Sequence, residues 1–171
     1  MGCNNLLEQL NEVREHPKDY KMLGDFGEAV AEVLLHHVFG HDVVVDAATR
    51  GGSQGVDLIT YDAAKGKLAL TEVKSTQKAE YRMPSMNSRT KQMSDYWSSD
   101  RSQKAGMDAV EETDFTDGEI DKIVVQVDVE RDIVSIWGVD GAGKRDDNAP
   151  EMTLALEDLV RFVDAINADE V

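Results

Sequence analysis

Cysteine is nearly missing from this chain: Cys3 is the one in 171 residues, alongside three prolines and an aromatic share of 6%. A lone thiol closes no internal disulfide and builds no cysteine-based zinc site, which fits a reducing compartment. Long hydrophobic runs are missing as well, and none approaches the ~18 residues that a membrane helix needs. The opening Met1-Gly2-Cys3-Asn4-Asn5-Leu6 has no apolar signal segment. Leu6 stands where a myristoylation pattern wants Ser or Thr. These absences lead to the expectation of a cytoplasmic protein with no membrane partner, although an excised secreted domain would have the same composition.

Positive charge is also scarce. Lysine and arginine total 18 against 34 Asp and Glu, a net charge of −16. Such a balance argues against a passive phosphate binder, which is normally basic. The deficit is uneven: residues 1–73 are net −6, residues 74–104 net +4, and residues 105–171 net −14. The basic stretch from Lys74 to Lys104 is where a polyanion would be drawn in, since fields reach about a Debye length of 8–10 Å. Within it, Lys78, Arg82, Arg89 and Lys91 are candidate nucleic-acid contacts, with Arg101 and Lys104 expected near the same mouth. The carboxyl-terminal third is expected to face away. Acidity of this degree is also what a protein working in high salt carries.

What is present is a normal folding inventory. Apolar residues make up 41% and charged residues 30%, with no repeat and no low-complexity linker. The length suits one domain over residues 1–171. Leu6, Leu7, Leu10 and Val13 at helical spacing predict a first helix, which Pro17 ends. A stronger apolar stripe through Leu23, Phe26, Val30, Val33, Leu34 and Val38 predicts a second helix over about 21–39, with Gly40 as its stop. Residues 42–47 read as a strand, and 56–61 and 68–74 as a hairpin around the turn Asp62 to Lys67. A polar helix is predicted over 89–104 and an acidic loop over 111–119. Strands follow at 120–129 and 133–139, and a last helix at about 153–168. The order is α-α-β-β-β-α-β-β-α, an α/β domain with a central sheet covered by helices.

The chemistry concentrates in the hairpin. Gly55-Val56-Asp57-Leu58-Ile59 leads, after the turn, to Leu70-Thr71-Glu72-Val73-Lys74. Residues i and i+2 of a strand share a face, so Glu72 and Lys74 point the same way. Antiparallel pairing brings Asp57 beside Glu72. Two carboxylates and a lysine then converge, with the Val73 carbonyl as an extra oxygen. Phosphodiester hydrolysis needs this set: hard oxygen ligands for Mg²⁺, a polarised phosphoryl oxygen, and a cation near the attacking water. The competing reading is a solvated amphipathic hairpin whose Glu–Lys pair is worth well under ~1 kcal/mol.

Gly55-Val56-Asp57 and Glu72-Val73-Lys74 resemble the two signature elements of the PD-(D/E)xK nucleases, which include restriction enzymes, Holliday junction resolvases and many bacterial nuclease toxins. Val56 stands where the family name has proline. The resemblance implies a restriction-endonuclease-like core over about residues 20–130, an endonuclease activity on DNA or RNA, and Mg²⁺ or Mn²⁺ as cofactor. It implies that Asp57 and Glu72 hold the metal with the Val73 carbonyl, and that Lys74 assists the water. Gly24-Asp25-Phe26-Gly27-Glu28-Ala29 resembles the start of the family's first core helix, which implies Glu28 as a further catalytic and metal-shell carboxylate. Arg89-Thr90-Lys91-Gln92-Met93-Ser94-Asp95-Tyr96-Trp97 is similar to a Lys-Gln-Met-Ser-x-x-Trp helix of polymorphic and contact-dependent toxin nucleases. That implies Gln92 at the lytic water or a phosphate, Arg89 and Lys91 on the backbone, and an immunity protein as partner if the chain is a delivered toxin. On the alternative reading, Met93 and Trp97 simply pack the helix on the sheet, and the fold serves as a catalytically silent binding module.

Two signals are set aside. Gly138-Val-Asp-Gly-Ala-Gly143-Lys144 spells most of a P-loop, but Arg145 replaces the Ser or Thr that would ligate Mg²⁺, so a turn is expected. His36, His37 and His41 have poor spacing for zinc.

Overall fold

A computed structural model of the chain describes residues 5–45, 56–76, 92–145 and 149–170. Twelve elements follow one another within them. Helix α1 (Leu6–Glu15) begins at Asn5, whose side chain accepts from the Glu8 N–H, and buries Leu6, Leu10 and Val13 at i, i+4 and i+7. Helix α2 (Tyr20–Val33) is capped by Asp19 and runs into a π-helical turn, Leu34–Val38. Gly40, at φ +69°, takes the left-handed turn that stops it.

The strands are β1 (Asp42–Val45), β2 (Leu58–Asp62), β3 (Lys67–Thr76), β4 (Ile120–Asp128), β5 (Ile133–Gly138) and β6 (Met152–Ala155). They form a six-stranded sheet in sequential order, β1-β2-β3-β4-β5-β6. The β3–β4 pair is parallel and the other four pairs are antiparallel, so the sheet is mixed. Helices α3 (Asp95–Lys104) and α4 (Glu112–Thr116) lie in the crossover between β3 and β4, and α5 (Leu156–Asp169) closes the described chain. The expected α/β architecture, a central mixed sheet flanked by helices, is what is observed.

The helices cover the two faces unequally. Val73, Val125, Val127, Val134 and Ile136 point to one face, where α1, α2 and α5 bury them in the larger core with Phe26, Leu10 and Val160. Ile59 and Leu70 point to the other, joining Met93, Val110 and Phe115 in a smaller core under α3 and α4. Helix α2 lies close on the first face. A Cβ on Gly27 would fall 1.7 Å from Ser75 Oγ, so only glycine permits that approach.

Three expectations are corrected. Residues 92–94 are not helical: Gln92 and Met93 form a turn and Ser94 caps α3, accepting from the Trp97 N–H at 3.3 Å. The acidic stretch 111–119 contains α4, nucleated by a capping box in which Asp114 accepts from the Glu111 N–H at 2.7 Å while Phe115 is buried. The start of the last predicted helix is instead β6, where pairing with the open edge of β5 overrides the helical preference of Met152, Leu154 and Ala155. Gly138 to Lys144 makes a turn, as expected, with the Asp140 side chain accepting from the Ala142 and Lys144 N–H groups.

Candidate active site

The β2–β3 ladder pairs Leu58 with Thr71. One step further along the same register sets Asp57, just before β2, opposite Glu72. Asp57 Oδ2 accepts from the Val73 N–H at 2.7 Å. What the structure shows of Val73 is therefore this N–H contact, not a role for its carbonyl. Glu72 and Lys74 alternate with Val73 and point to the face bearing α3.

There they close a small ring of polar groups. Lys74 Nζ lies 2.6 Å from Glu72 Oε1 and donates to Gln92 Oε1 at 2.9 Å. The Gln92 amide in turn donates to Glu72 Oε1. Glu72 is only 3% exposed, and its Oε2 is buried with no donor among the described residues. Burial first, and then the negative charge of Asp57, push its carboxyl up to about 8, while Lys74 acts in the opposite sense. Acidic groups held side by side at such a cost are far more common at working sites than on solvated hairpins.

Gln92 arrives by a conformation that its neighbours enforce. Met93 sits at φ +67°, a rare backbone for a non-glycine residue, and its side chain is fully buried. Its carbonyl accepts from Lys122 Nζ at 2.8 Å. The same ammonium donates to the Asp140 carbonyl at 2.7 Å and pairs with Asp95 at 2.5 Å. Desolvation lowers the Lys122 pKa, so this buried cation is held at a cost that its partners offset. Gly143, at φ +74°, lies against the Gln92 carbonyl and the Ser94 N–H; a Cβ there would come within 2.4 Å of the former. Ser94 also bridges Ala142. The loop after β5 thus backs the Gln92 turn, contrary to the expectation that the carboxyl-terminal third faces away. Sequence reading missed Lys122 and this loop, because contacts between residues 92–95 and 139–145 leave no local signal.

The remaining candidates separate. Glu28 is half-buried on α2, which packs on the Val73–Ser75 face. The charges that act on Glu72 are Asp57 and Lys74. Among the described residues no three carboxylate, imidazole or thiol groups gather at metal-binding spacing, so Glu28 does not complete a trio with Asp57 and Glu72. Arg101 and Lys104 both pair with Asp100 on their own helix, which offsets charge expected for substrate. Lys78, Arg82, Arg89 and Lys91 lie outside the described residues. His41 is tied to Thr60 at 2.8 Å and lies 3.4 Å from Asp62, an arrangement buried under the first face. No helix among the described residues is long and apolar enough to cross a membrane.

The donor set suits a hard divalent cation. Two adjacent carboxylates, one with an oxygen lacking a donor, are what an oxygen-preferring ion replaces a proton to bind. Compared with known proteins, the chain matches no family model, no curated protein and no solved structure.

Proposed function

We propose that this chain is a metal-dependent endonuclease with a restriction-endonuclease-like core, hydrolysing phosphodiester bonds of DNA. The observation that carries the reading is the convergence of Asp57, Glu72, Lys74 and Gln92 on one face of β3, with an undonated Glu72 oxygen at its centre. Asp57 and Glu72 would hold Mg²⁺ or Mn²⁺. When bound, such an ion polarises a phosphoryl oxygen and lowers the pKa of a coordinated water.

The chain's own groups supply the rest. Lys74 lies where an ammonium can orient a water and offset charge building on the phosphorus oxygens. Gln92, with one amide end toward Glu72 and the other toward Lys74, fixes both side chains and can turn a donor toward the same water. Burial of Glu72 keeps bulk water from screening these interactions.

The experiment is a cleavage assay on plasmid DNA, single-stranded DNA and tRNA, with Mg²⁺, with Mn²⁺ and with chelator. Wild type should cut DNA only with metal. Asp57→Ala and Glu72→Gln should fall to background while remaining folded by circular dichroism. Mutants that cut as well as wild type would sink the assignment, and cutting of tRNA alone would move the substrate to RNA.

A further inference from the structure

Across the sheet from Lys74, on the same face, stands an arginine that the catalytic set does not use. The ladders align two rows: Glu72 beside Val124 beside Trp137, and Lys74 beside Gln126 beside Ser135. Residues in register across neighbouring strands share a face and stand ~5 Å apart. The Trp137 indole N–H donates to Ser135 Oγ at 2.9 Å, which ties the ring to this face. Arg145 lies over that ring, with its guanidinium carbon 3.9 Å from the ring centroid, and donates to Gln126 Oε1 at 2.7 Å.

Its backbone is held as closely as its side chain. Val139 bridges Arg145, the Lys144 carbonyl accepts from the Asp140 N–H at 2.9 Å, and Lys122 holds the Asp140 carbonyl. A guanidinium fixed over an indole and beside an amide has lost its rotamer freedom already, so binding an anion costs it little ordering. Its planar fork matches two oxygens of a phosphate, which a lysine cannot do. It is also one of only five basic residues among the 67 of residues 105–171, against 19 acidic ones. A cation kept there, one to two strand spacings from Lys74, stands where a strand crossing the site from β3 toward β5 would place its next phosphates.

Resting on the nuclease reading above, we infer that Arg145, seated over Trp137 and tied to Gln126, binds a backbone phosphate of the nucleic-acid strand flanking the scissile position. Arg145 is already bonded within the chain, and the phosphate adds to or exchanges with those partners. The contact is to backbone, so it adds affinity without sequence preference.

The test is fluorescence anisotropy of labelled single-stranded and duplex DNA oligonucleotides with Ca²⁺ in place of Mg²⁺, over a series of salt concentrations. Arg145→Gln should weaken binding several-fold at low salt and lower the salt slope by about 1. Arg145→Lys should keep the wild-type slope but bind more weakly, because the charge stays and the fork is lost. Arg161→Gln, on α5 at the opposite face, should change neither. Wild-type slope and affinity in Arg145→Gln would overturn the inference, as would a wild type that binds no oligonucleotide. If Arg145→Gln does not fold, Arg145→Lys decides, and wild-type affinity in it overturns the proposal. Binding that depends on Arg145 in a wild type that never cuts would leave the phosphate contact of Arg145 standing and end the nuclease reading. Metal-dependent cutting indifferent to Arg145 would do the reverse.

Discussion

The two faces of one sheet obey different rules. Along β3, Val73 and Ser75 turn toward α2 and meet valine, isoleucine and leucine from β4, β5, α1 and α5. Glu72 and Lys74, one residue away on either side of Val73, turn the other way and meet Gln92, with Lys122 and Gln126 on the neighbouring strand. The first face does what hydrophobic burial does best and holds the fold together. The second buries an acid pushed up to about 8, a lysine with its pKa lowered, and a methionine with positive φ. Each of these costs stability, and together they put polar atoms in fixed positions. Departures from local folding rules that cluster on one face are what the proposed nuclease site would require.

The sharpest way to break this comparison is to exchange damage between the faces. Ile136, 5% exposed in the larger core, should behave as a pure stability residue. Ile136→Ala should cost about 2–5 kcal/mol. At about 2–4 °C per kcal/mol that is a clear fall in the thermal midpoint. Specific activity measured well below that midpoint should stay near wild type. Asp57→Ala should do the opposite, losing all cleavage with the midpoint little changed, because it removes the charge that opposes ionisation of Glu72 while taking an acceptor from the Val73 N–H. If both variants lose activity and stability in parallel, the faces are not functionally distinct.

Lys122 tests whether the second face works as a unit. Lys122→Met strands Asp95 and two carbonyls without their donor, and breaking such a buried pair typically costs about 3–5 kcal/mol. Its effect on turnover should run through Gln92, because Lys122 grips the Met93 carbonyl next door. Gln92→Ala alone should lower turnover with little loss of stability. In a Gln92→Ala background, adding Lys122→Met should then lower the thermal midpoint again without lowering turnover further. Additive losses in turnover would mean that Lys122 acts on the chemistry by another route.

Much of the first face was legible in sequence, and only part of the second. The stripe Leu23, Phe26, Val30, Leu34 repeats locally, so helix α2 could be read from it, and two strand-like runs around the turn Asp62 to Lys67 exposed the hairpin. Asp57, Glu72 and Lys74 were readable because a tight hairpin fixes which residues meet. Gln92 came from a motif resemblance, which assigned it to a helix where a strained turn delivers it instead. Lys122 and the seat of Arg145 were invisible, since the hydrogen-bond partners Met93, Asp140 and Gln126 lie 18 to 29 residues away. Glu28 was named for the metal by a motif position alone; beside it, Gly27 packs α2 against Val73 and Ser75.

The smallest expected effect concerns the proton that the Asp57–Glu72 pair holds when no metal is bound. Glu72 titrates near 4.5 as an ordinary carboxyl and at about 8 in the folded chain, with burial as the leading cause. A raised folded value means that the native state binds a proton which the unfolded state has released. Stability from this group is therefore fully present below about pH 4.5, and it declines as pH rises until it is lost above about 8. In chelator, wild type should lose a few degrees of thermal midpoint between about pH 5 and about pH 8 relative to Glu72→Gln, whose amide has no proton to release. Divalent metal should flatten the difference, because the ion takes the proton's place and stabilises the carboxylate form. Apparent metal affinity should accordingly rise with pH over the same interval. Identical pH profiles for wild type and Glu72→Gln in chelator would mean that Glu72 is ionised throughout. The second face would then carry no acid–acid tension for a metal to relieve.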